Sequence, residues 1–132
     1  ESLRAQHVEQ LLRLLSRGGA PHVVLCGDFN SDPFDVEGHR ALAVPAVLGH
    51  RLGLASAYPL PESAEGAAYT TWKRRGPQES RHVIDYIFHS PGLLPGALFG
   101  VPDAGEVSPD RLPGCQYPSD HVAIAAELAF RR

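Results

Sequence analysis

Hydrophobic side chains recur at the spacing of one helical face along the first part of the chain. Leucine and valine positions from Leu3 to Leu15 follow this spacing, and two glycines, Gly18 and Gly19, come where a helix would stop. The pattern predicts an amphipathic helix over residues 2–17.

The next apolar run is β-branched and ends in polar residues. It begins at Pro21, continues through Leu25 and predicts a strand buried on both faces, with Cys26 as a small buried hydrophobic residue. The C-terminal end of this strand delivers Asp28 and Asn30 to a loop. A carboxylate and an amide at the end of a buried strand indicate that these side chains have a chemical role at that point.

Prolines determine the prediction for the next stretch. Asp32 followed by Pro33 is typical of an N-cap and a first helical position, so the pattern predicts a short helix over about residues 33–44, ended by Pro45. Residues 56–68 are polar and proline-rich, as expected of a connection between elements.

Three later segments have the residue content of strands. They are AYTTWK at 68–73, RHVIDYIFH at 81–89 and HVAIAAELAF at 121–130. The second sets Asp85 between two apolar neighbours on one strand face, and the third is expected to be a closing strand packed on both sides. Residues 93–113 are loose, with only a short strand expected near Ala97 to Val101.

The order of helix, strand, helix and several strands predicts an α/β sandwich layer. With 132 residues, 43% hydrophobic and 20% charged, the chain fits one compact unit. No apolar run approaches the roughly 18 residues of a membrane-spanning helix, so no membrane partner is expected. A net charge of −3 disfavours non-specific coating of nucleic acid, and two cysteines without zinc-type spacing indicate a reducing compartment.

Three acidic residues stand where a strand ends or where burial is expected: Asp28, Asp85 and Asp120. If their strands are neighbours in one sheet, the strand ends converge on a single cleft. An ionised Asp85 on an apolar face is unfavourable unless it is paired, and His121 is placed to pair with it. An Asp–His pair fixes the imidazole tautomer and favours its protonated form, which suits a developing phosphoryl charge.

Asp28 and Asn30 supply the other half of this chemistry. A carboxylate orients and deprotonates water, and an amide holds both that water and a phosphate oxygen, so the residues together describe phosphoester hydrolysis. Oxygen-rich surroundings favour Mg²⁺, with Mn²⁺ as the alternative, over zinc. Basic residues near the middle strands suit an anionic substrate. They are Lys73, Arg74, Arg75 and Arg81.

Each motif has a structural alternative when it is taken alone. GDFN is compatible with a turn, the Ser-Asp of SDH with a cap, and the run from Lys73 to Arg75 with a solvated hairpin. Trp72 is expected to pack in the core or at its rim rather than to stack on a base. The joint occurrence of the acidic motifs at strand ends favours a functional site.

Three motifs in fixed order, CGDFNSDP, HVIDYIF and YPSDHVAI, resemble the C-terminal half of the endonuclease/exonuclease/phosphatase superfamily. The resemblance is greatest to its deadenylase-like branch and, through AYTTWK, RHVIDYIFHS and RLPGCQYPSDH, to the nocturnin-like group. It covers nearly the whole chain. It implies that residues 1–132 form the C-terminal half of a two-sheet α/β sandwich, with a mixed sheet and flanking helices, and that the N-terminal half of the domain is absent.

The same resemblance implies a magnesium-dependent phosphoesterase and a role for each site residue. Asp28 would align or activate the attacking water, and Asn30 would hold the phosphate and that water. His121, oriented by Asp85, would contact the scissile phosphate, and Asp120 would help organise the metal site. Because the family's principal metal-binding glutamate lies in the N-terminal half, we expect this chain alone to be inactive and the parent protein to be active.

The nocturnin-like group implies two substrates that share a phosphate beside an adenosine ribose. We favour the 2′-phosphate of NADP(H), with poly(A) RNA and a 3′-5′ exoribonuclease activity as the alternative. A non-catalytic binding module from a truncated product is a further alternative. The expected compartment is the cytoplasm, with mitochondria left open because any targeting segment would lie upstream.

Overall fold

The computed structural model describes residues 1–36, 38–65 and 68–132. In chain order, its elements in these ranges are α1 (Ser2–Arg17), β1 (Val24–Asp28), α2 (Ala43–Leu48), β2 (Ala55–Ser56), β3 (Thr71–Arg75), β4 (Gln78–His82), β5 (Asp85–His89), β6 (Leu93–Leu98) and β7 (Ala126–Phe130). The strands form three sheets, in the orders β1-β5-β2, β3-β4 and β6-β7. Neither helix has the length and apolar character that crossing a bilayer requires, and the described ranges contain no other candidate.

The main core joins the two helices to the three-stranded sheet. Val8 and Leu12 of α1 belong to it together with Val44 and Val47 of α2. Phe88 of β5 is fully buried in the same cluster. Burying an aliphatic or aromatic side chain of this size contributes about 1.5–3 kcal/mol. Both helices are therefore held against the sheet by apolar contacts.

A second, smaller core joins the β3-β4 hairpin to the loop that precedes β7. Its buried members are Tyr69, Trp72, Val107, Leu112 and Val122. The rings of Tyr69 and Trp72 meet edge to face, with 5.3 Å between their centroids. The backbone N–H of Leu112 donates to the carbonyl of Trp72 (2.9 Å), which ties the loop to β3.

The helix predicted over residues 2–17 is confirmed by α1, and the α/β class is confirmed by helices packed on a sheet. The prediction of a mixed sheet is wrong for the described strands, because each pair of strands is antiparallel. The parallel contact in these ranges is an isolated bridge between Lys73 and Leu112. β3 and β4 are joined by a tight turn, and so short a connection permits antiparallel pairing only.

The helix predicted over residues 33–44 is wrong for the described residues, and residue 37 lies outside them. α2 starts later, at Ala43, and Pro45 lies in its first turn instead of ending it. A proline is tolerated there because the N–H that it lacks has no intrahelical partner. The carboxylate of Asp32 is used elsewhere: it accepts a hydrogen bond from the backbone N–H of Val83 (3.0 Å).

β1 and β7 are more exposed than the sequence pattern predicts. Successive side chains of β1 point to opposite faces, and only the face of Leu25 packs against the main core, so Val24 and Cys26 are exposed. The predictions that both faces of β1 are packed and that Cys26 is buried are therefore wrong. The prediction that the closing strand is packed on both sides is also wrong. Phe130 of β7 is 68% exposed, because a two-stranded ribbon cannot cover both of its own faces.

Two further strands have bounds that differ from those predicted. The run at 81–89 is divided, because β4 ends at His82 and β5 begins at Asp85. In place of the short strand near Ala97 to Val101, β6 covers Leu93–Leu98. Residues 66 and 67 of the predicted connection lie outside the described residues.

Phe88→Ala is expected to lower the free energy of unfolding by about 3–5 kcal/mol, because the core cannot fully close around the lost ring. Phe130→Ala is the matched control: it removes the same ring from a position that is 68% exposed and should cost far less. Urea unfolding followed by circular dichroism measures both variants. Similar losses in the two variants would contradict this placement of the core.

Candidate active site

The loop that follows β1 is shaped by the two polar residues of the GDFN motif, Asp28 and Asn30. Asp28 Oδ1 accepts a hydrogen bond from the backbone N–H of Asn30 (2.7 Å), and Asp28 Oδ2 accepts one from Asn30 Nδ2 (3.2 Å). Asn30 has a φ of 49°, a left-handed conformation that asparagine tolerates better than most residues. A carboxylate and an amide are therefore held side by side at an exposed strand end.

The antiparallel register of β1 and β5 places Asp28 opposite Asp85. Two carboxylates so placed repel each other, and a neighbouring cation or a proton relieves the repulsion. His121 is the nearest partner, with Nδ1 lying 2.9 Å from Asp85 Oδ2. One ligand atom from each of Asp28, Asp85 and His121 lies within 4.8 Å of the other two. We call these three residues the Asp–Asp–His cluster.

His121 reaches the cluster from a loop and not from a shared sheet. The expectation that three strand ends converge in one sheet is wrong, because β7 pairs with β6. His121 instead forms an isolated antiparallel bridge with Thr71. Thr71 Oγ1 donates to the carbonyl of Asp120 (2.7 Å), and the N–H of Val122 donates to the carbonyl of Thr70 (2.8 Å). These bonds fix the loop on both sides of His121.

Thr70 positions the other side of the cluster. Its Oγ1 accepts hydrogen bonds from the backbone N–H groups of Ile84 (3.0 Å) and Asp85 (3.1 Å). Sequence reasoning missed both Thr70 and Thr71 as site-forming residues. The available signal was a pair of adjacent hydroxyl side chains at the start of a strand that is otherwise aromatic and basic.

Tyr86 joins the loop after β1 to the start of β5. Its hydroxyl donates to the carbonyl of Ser31 (2.7 Å) and also contacts the carbonyl of Val83. Burial raises the pKa of Tyr86 far above its ordinary value, and the charges of Asp32 and Asp85 add to this effect. The phenol therefore stays protonated and serves as a donor that links the two loops.

The carboxylate of Asp120 is bonded to Lys73. Asp120 Oδ2 lies 3.0 Å from Lys73 Nζ, and this hydrogen bond is the main cause that lowers the pKa of Asp120. Among the described residues, the group whose atoms are close enough to share a metal ion does not include Asp120. Its metal role stays a prediction.

The register of the β3-β4 hairpin determines which side chains face the loop after β1. Thr71 pairs with His82 and Lys73 pairs with Ser80, so these four side chains share one face of the hairpin. That face lines a cavity of about 330 Å³, whose wall also includes Asn30. We call it the hairpin cavity.

The four predicted substrate-binding residues are divided by the same register. Lys73 belongs to the hairpin cavity, whereas Arg74 and Arg81 lie on the opposite face. Arg74 Nη2 lies 3.3 Å from an oxygen of Glu79, and the guanidinium carbon of Arg81 lies 5.3 Å from the ring centre of Trp72. Trp72 is buried, which confirms that it packs in a core.

Arg75 takes an intermediate position. It lies on the same face as Lys73 but at the turn end of the hairpin, opposite Gln78, and it is not part of the cavity wall. Of the four basic residues, Lys73 alone therefore lines the space next to Asn30.

A comparison with protein families identifies the chain. Residues 1–121 match the model of the Endonuclease/Exonuclease/phosphatase family. The chain belongs to the endonuclease/exonuclease/phosphatase family. The match includes the CGDFNSDP and HVIDYIF motifs and ends at His121.

Curated relatives match nearly the whole chain. It is 38% identical to Nocturnin of Xenopus laevis and 35% identical to Nocturnin of Homo sapiens, with 90% and 92% of the chain covered. It is 29% identical over 93% of its length to the probable CCR4-Not complex 3′-5′-exoribonuclease subunit Ccr4 of Encephalitozoon cuniculi. The nocturnin-like resemblance is confirmed. The chain spans 30%, 27% and 27% of these three relatives, in that order.

The Asp–Asp–His cluster fits a divalent cation, on which members of the endonuclease/exonuclease/phosphatase family generally depend. Two carboxylates and one imidazole form an oxygen-rich donor set, which hard cations prefer. The opposed carboxylates of Asp28 and Asp85 also favour a cation, because its charge would offset their repulsion.

Thr70→Val keeps the shape of a buried side chain but removes the acceptor that serves the N–H groups of Ile84 and Asp85. Leaving these donors unsatisfied is expected to lower the free energy of unfolding by about 1–3 kcal/mol. Thr70→Ser retains the hydroxyl and is the matched control, with a smaller expected loss. Urea unfolding measures the difference, and wild-type stability of Thr70→Val would contradict the role of the hydroxyl.

Lys73→Met is expected to raise the pKa of Asp120 toward its ordinary value, because the bond to Lys73 is the main cause of the lowering. The Lys73–Asp120 pair stabilises the fold at pH values above the pKa that Asp120 has in the unfolded state. This stabilisation is lost as the pH falls through the lowered pKa of Asp120 in the folded state. The contribution is small because the carboxylate is 38% exposed. Carbon-13 NMR titration of Asp120 measures the shift, with Arg75→Met as control. An unchanged pKa in Lys73→Met would contradict the assignment.

Proposed function

We propose that this chain is part of a Mg²⁺-dependent, nocturnin-like phosphoesterase that hydrolyses the 2′-phosphate of NADP(H). The observation that carries the proposal is the Asp–Asp–His cluster, whose ligand atoms lie within 4.8 Å of one another. Asn30 is attached to the cluster through its bonds to Asp28. Carboxylates, an imidazole and an amide at one exposed strand end are the groups that phosphoester hydrolysis uses.

Asp28 and Asn30 act on the attacking water in this proposal. The Asp28 carboxylate orients the water and accepts its proton as the oxygen attacks phosphorus. The bond between phosphorus and the ribose 2′-oxygen breaks in the same reaction, and the departing oxygen takes up a proton from solvent. Asn30 Nδ2, held 3.2 Å from Asp28 Oδ2, donates to a phosphate oxygen and helps to hold the water. The left-handed turn at Asn30 supports these roles because it keeps the amide beside the carboxylate.

His121 stabilises the negative charge that develops on the phosphoryl group. Asp85 lies 2.9 Å from His121 Nδ1, which orients the ring and leaves Nε2 for a phosphoryl oxygen. Asp120 is assigned to the organisation of the metal site, with Lys73 keeping its carboxylate ionised.

Mg²⁺ is the proposed metal, with Mn²⁺ as the alternative, because the donor set is rich in oxygen. Asp28 and Asp85 are the carboxylates that would hold it, while His121 keeps its Nδ1 contact to Asp85 and turns its Nε2 to the phosphoryl oxygen. When bound, the cation neutralises negative charge on the phosphate that is attacked.

The catalytic domain is proposed to include an N-terminal part that contributes a second sheet. The relatives support this, because the chain spans 30% and 27% of the two Nocturnin proteins. The outer face of β1 also supports it: Val24 is 49% exposed, and a second sheet packed there would bury it. Residues 1–132 would then be the C-terminal part of a two-sheet α/β sandwich, inactive without the family's metal-binding glutamate.

NADP(H) is preferred to RNA as the substrate because identity is 38% and 35% to the Nocturnin proteins and 29% to the Ccr4 subunit. A 3′-5′ exoribonuclease acting on poly(A) RNA is the second candidate function, and the similarity to the Ccr4 subunit favours it. Both substrates present a phosphate beside an adenosine ribose, so the Asp–Asp–His cluster suits either one.

Phosphate release from NADPH with Mg²⁺ tests the proposal in three samples. They are this chain, this chain combined with the N-terminal part of its domain, and the combination treated with EDTA. Release is expected in the second sample alone. Asp28→Asn is expected to lower kcat there by at least about 100-fold, because the general base is lost. Asp110→Asn, the same change at an exposed aspartate outside the cluster, is the matched control and should retain activity.

Three outcomes would contradict parts of the proposal. No phosphate release by folded samples would exclude NADPH as the substrate, and release of AMP from oligoadenylate would then identify the exoribonuclease. Full activity of Asp28→Asn would contradict its role as the base. Nucleotide binding that survives both EDTA and Asp28→Asn, without hydrolysis, would identify a non-catalytic module.

A further inference from the structure

A second aspartate–histidine pair lies outside the Asp–Asp–His cluster. His82 Nδ1 lies 2.8 Å from Asp32 Oδ2, and Asp32 Oδ1 accepts a hydrogen bond from the backbone N–H of Val83 (3.0 Å). The Asp32 side chain is 9% exposed, whereas that of His82 is 38% exposed. A nearly buried carboxylate therefore orients an imidazole that is still accessible.

This pair is part of the wall of the hairpin cavity. His82 shares one face of β3-β4 with Lys73, and Asn30 forms another part of the wall. Because Asn30 is bonded to Asp28, the cavity adjoins the place where the proposed reaction occurs. Its volume of about 330 Å³ is at the lower end of the range for ligand pockets, which suits a phosphate with its attached sugar.

The charges of the cavity wall favour an anion. Lys73, Arg4 and Arg40 belong to the wall, together with the imidazole of His82. The carboxylate of Glu1 is also there, but Arg4 lies 2.9 Å from it and two further donors bind it. Lys73, Arg4 and Arg40 are three cations against the two carboxylates of the wall, Glu1 and Asp32. Lys73 also bonds to Asp120, which lies outside the wall.

We infer that the hairpin cavity is a subsite for a second, non-scissile phosphate of the substrate, with His82 as a binding residue and Asp32 as the residue that positions it. The inference rests on the proposed function, because it takes the Asp–Asp–His cluster as the place of the scissile phosphate. Nδ1 faces Asp32, so Nε2 is the ring nitrogen that contacts the phosphate oxygen.

Two adenosine ligands that differ by one phosphate test the subsite. Calorimetry compares adenosine 2′-monophosphate with adenosine 2′,5′-bisphosphate on the full chain, on His82→Gln and on His22→Gln, an exposed histidine outside the cavity. Wild type is expected to prefer the bisphosphate. His82→Gln should lose about tenfold in affinity for the bisphosphate alone, the size of one charge-assisted hydrogen bond. His22→Gln should bind both ligands like wild type.

A structural role of His82 gives a different result from a binding role. If His82→Gln weakens both ligands equally, or neither, or if wild type does not prefer the bisphosphate, the subsite is overturned. A second measurement covers the case in which His82→Gln fails to fold. Inorganic pyrophosphate added to wild type should shift the ring nitrogen signals of His82 and not those of His22 in long-range proton–nitrogen spectra. An unmoved His82 would also overturn the inference.

The diphosphate of a dinucleotide and the neighbouring phosphodiester of an adenylate chain share the chemistry of this subsite. Calorimetry with NADP⁺ and with tetra-adenylate distinguishes them, because the loss in His82→Gln should appear with the ligand whose second phosphate occupies the cavity. No loss with either ligand would overturn the inference. Binding needs no turnover, so an intact bisphosphate preference without phosphate release would contradict the proposed function and leave the subsite standing.

Discussion

Two adjacent threonines, Thr70 just before β3 and Thr71 at its first position, hold the candidate site together. Thr70 accepts hydrogen bonds from the N–H groups that lead into β5, and Thr71 donates to the carbonyl of Asp120. Both side chains are buried, so a lost bond would leave a polar group without water. Asp85 and His121 are 36 residues apart, yet they meet because both segments are fastened to the same two residues.

The pleat of the β3-β4 hairpin separates packing from the candidate chemistry. One face carries Trp72, which is buried in the second core and lies 4.3 Å from the guanidinium carbon of Arg111. The other face carries Lys73 and His82 toward the hairpin cavity. A shift of the register by one residue would exchange the two faces, so the core around Trp72 also fixes which cations reach the cavity.

The success of each sequence-based prediction depends on how local the deciding interaction is. α1 is predicted correctly, because helical periodicity within one segment is enough to define it. The helix expected over residues 33–44 fails, since Asp32 can cap a helix or bond a distant backbone, and here its partner lies 51 residues away. The exposure of Val24 could not be predicted either, because a run of apolar residues does not show whether one face or both faces of the strand are covered by a packed layer.

The family and the residue types of the site can be read from the sequence: Asp28 and Asn30 follow an apolar strand, and Asp85 requires a partner. The folded chain was needed to show that His121 reaches Asp85 from a loop, that Asp120 is bonded to Lys73, and that a second pair, Asp32 and His82, borders the same space. This division arises because residue type and periodicity are properties of short segments, whereas register, loop closure and the pairing of buried charges depend on hydrogen bonds between segments far apart in the chain.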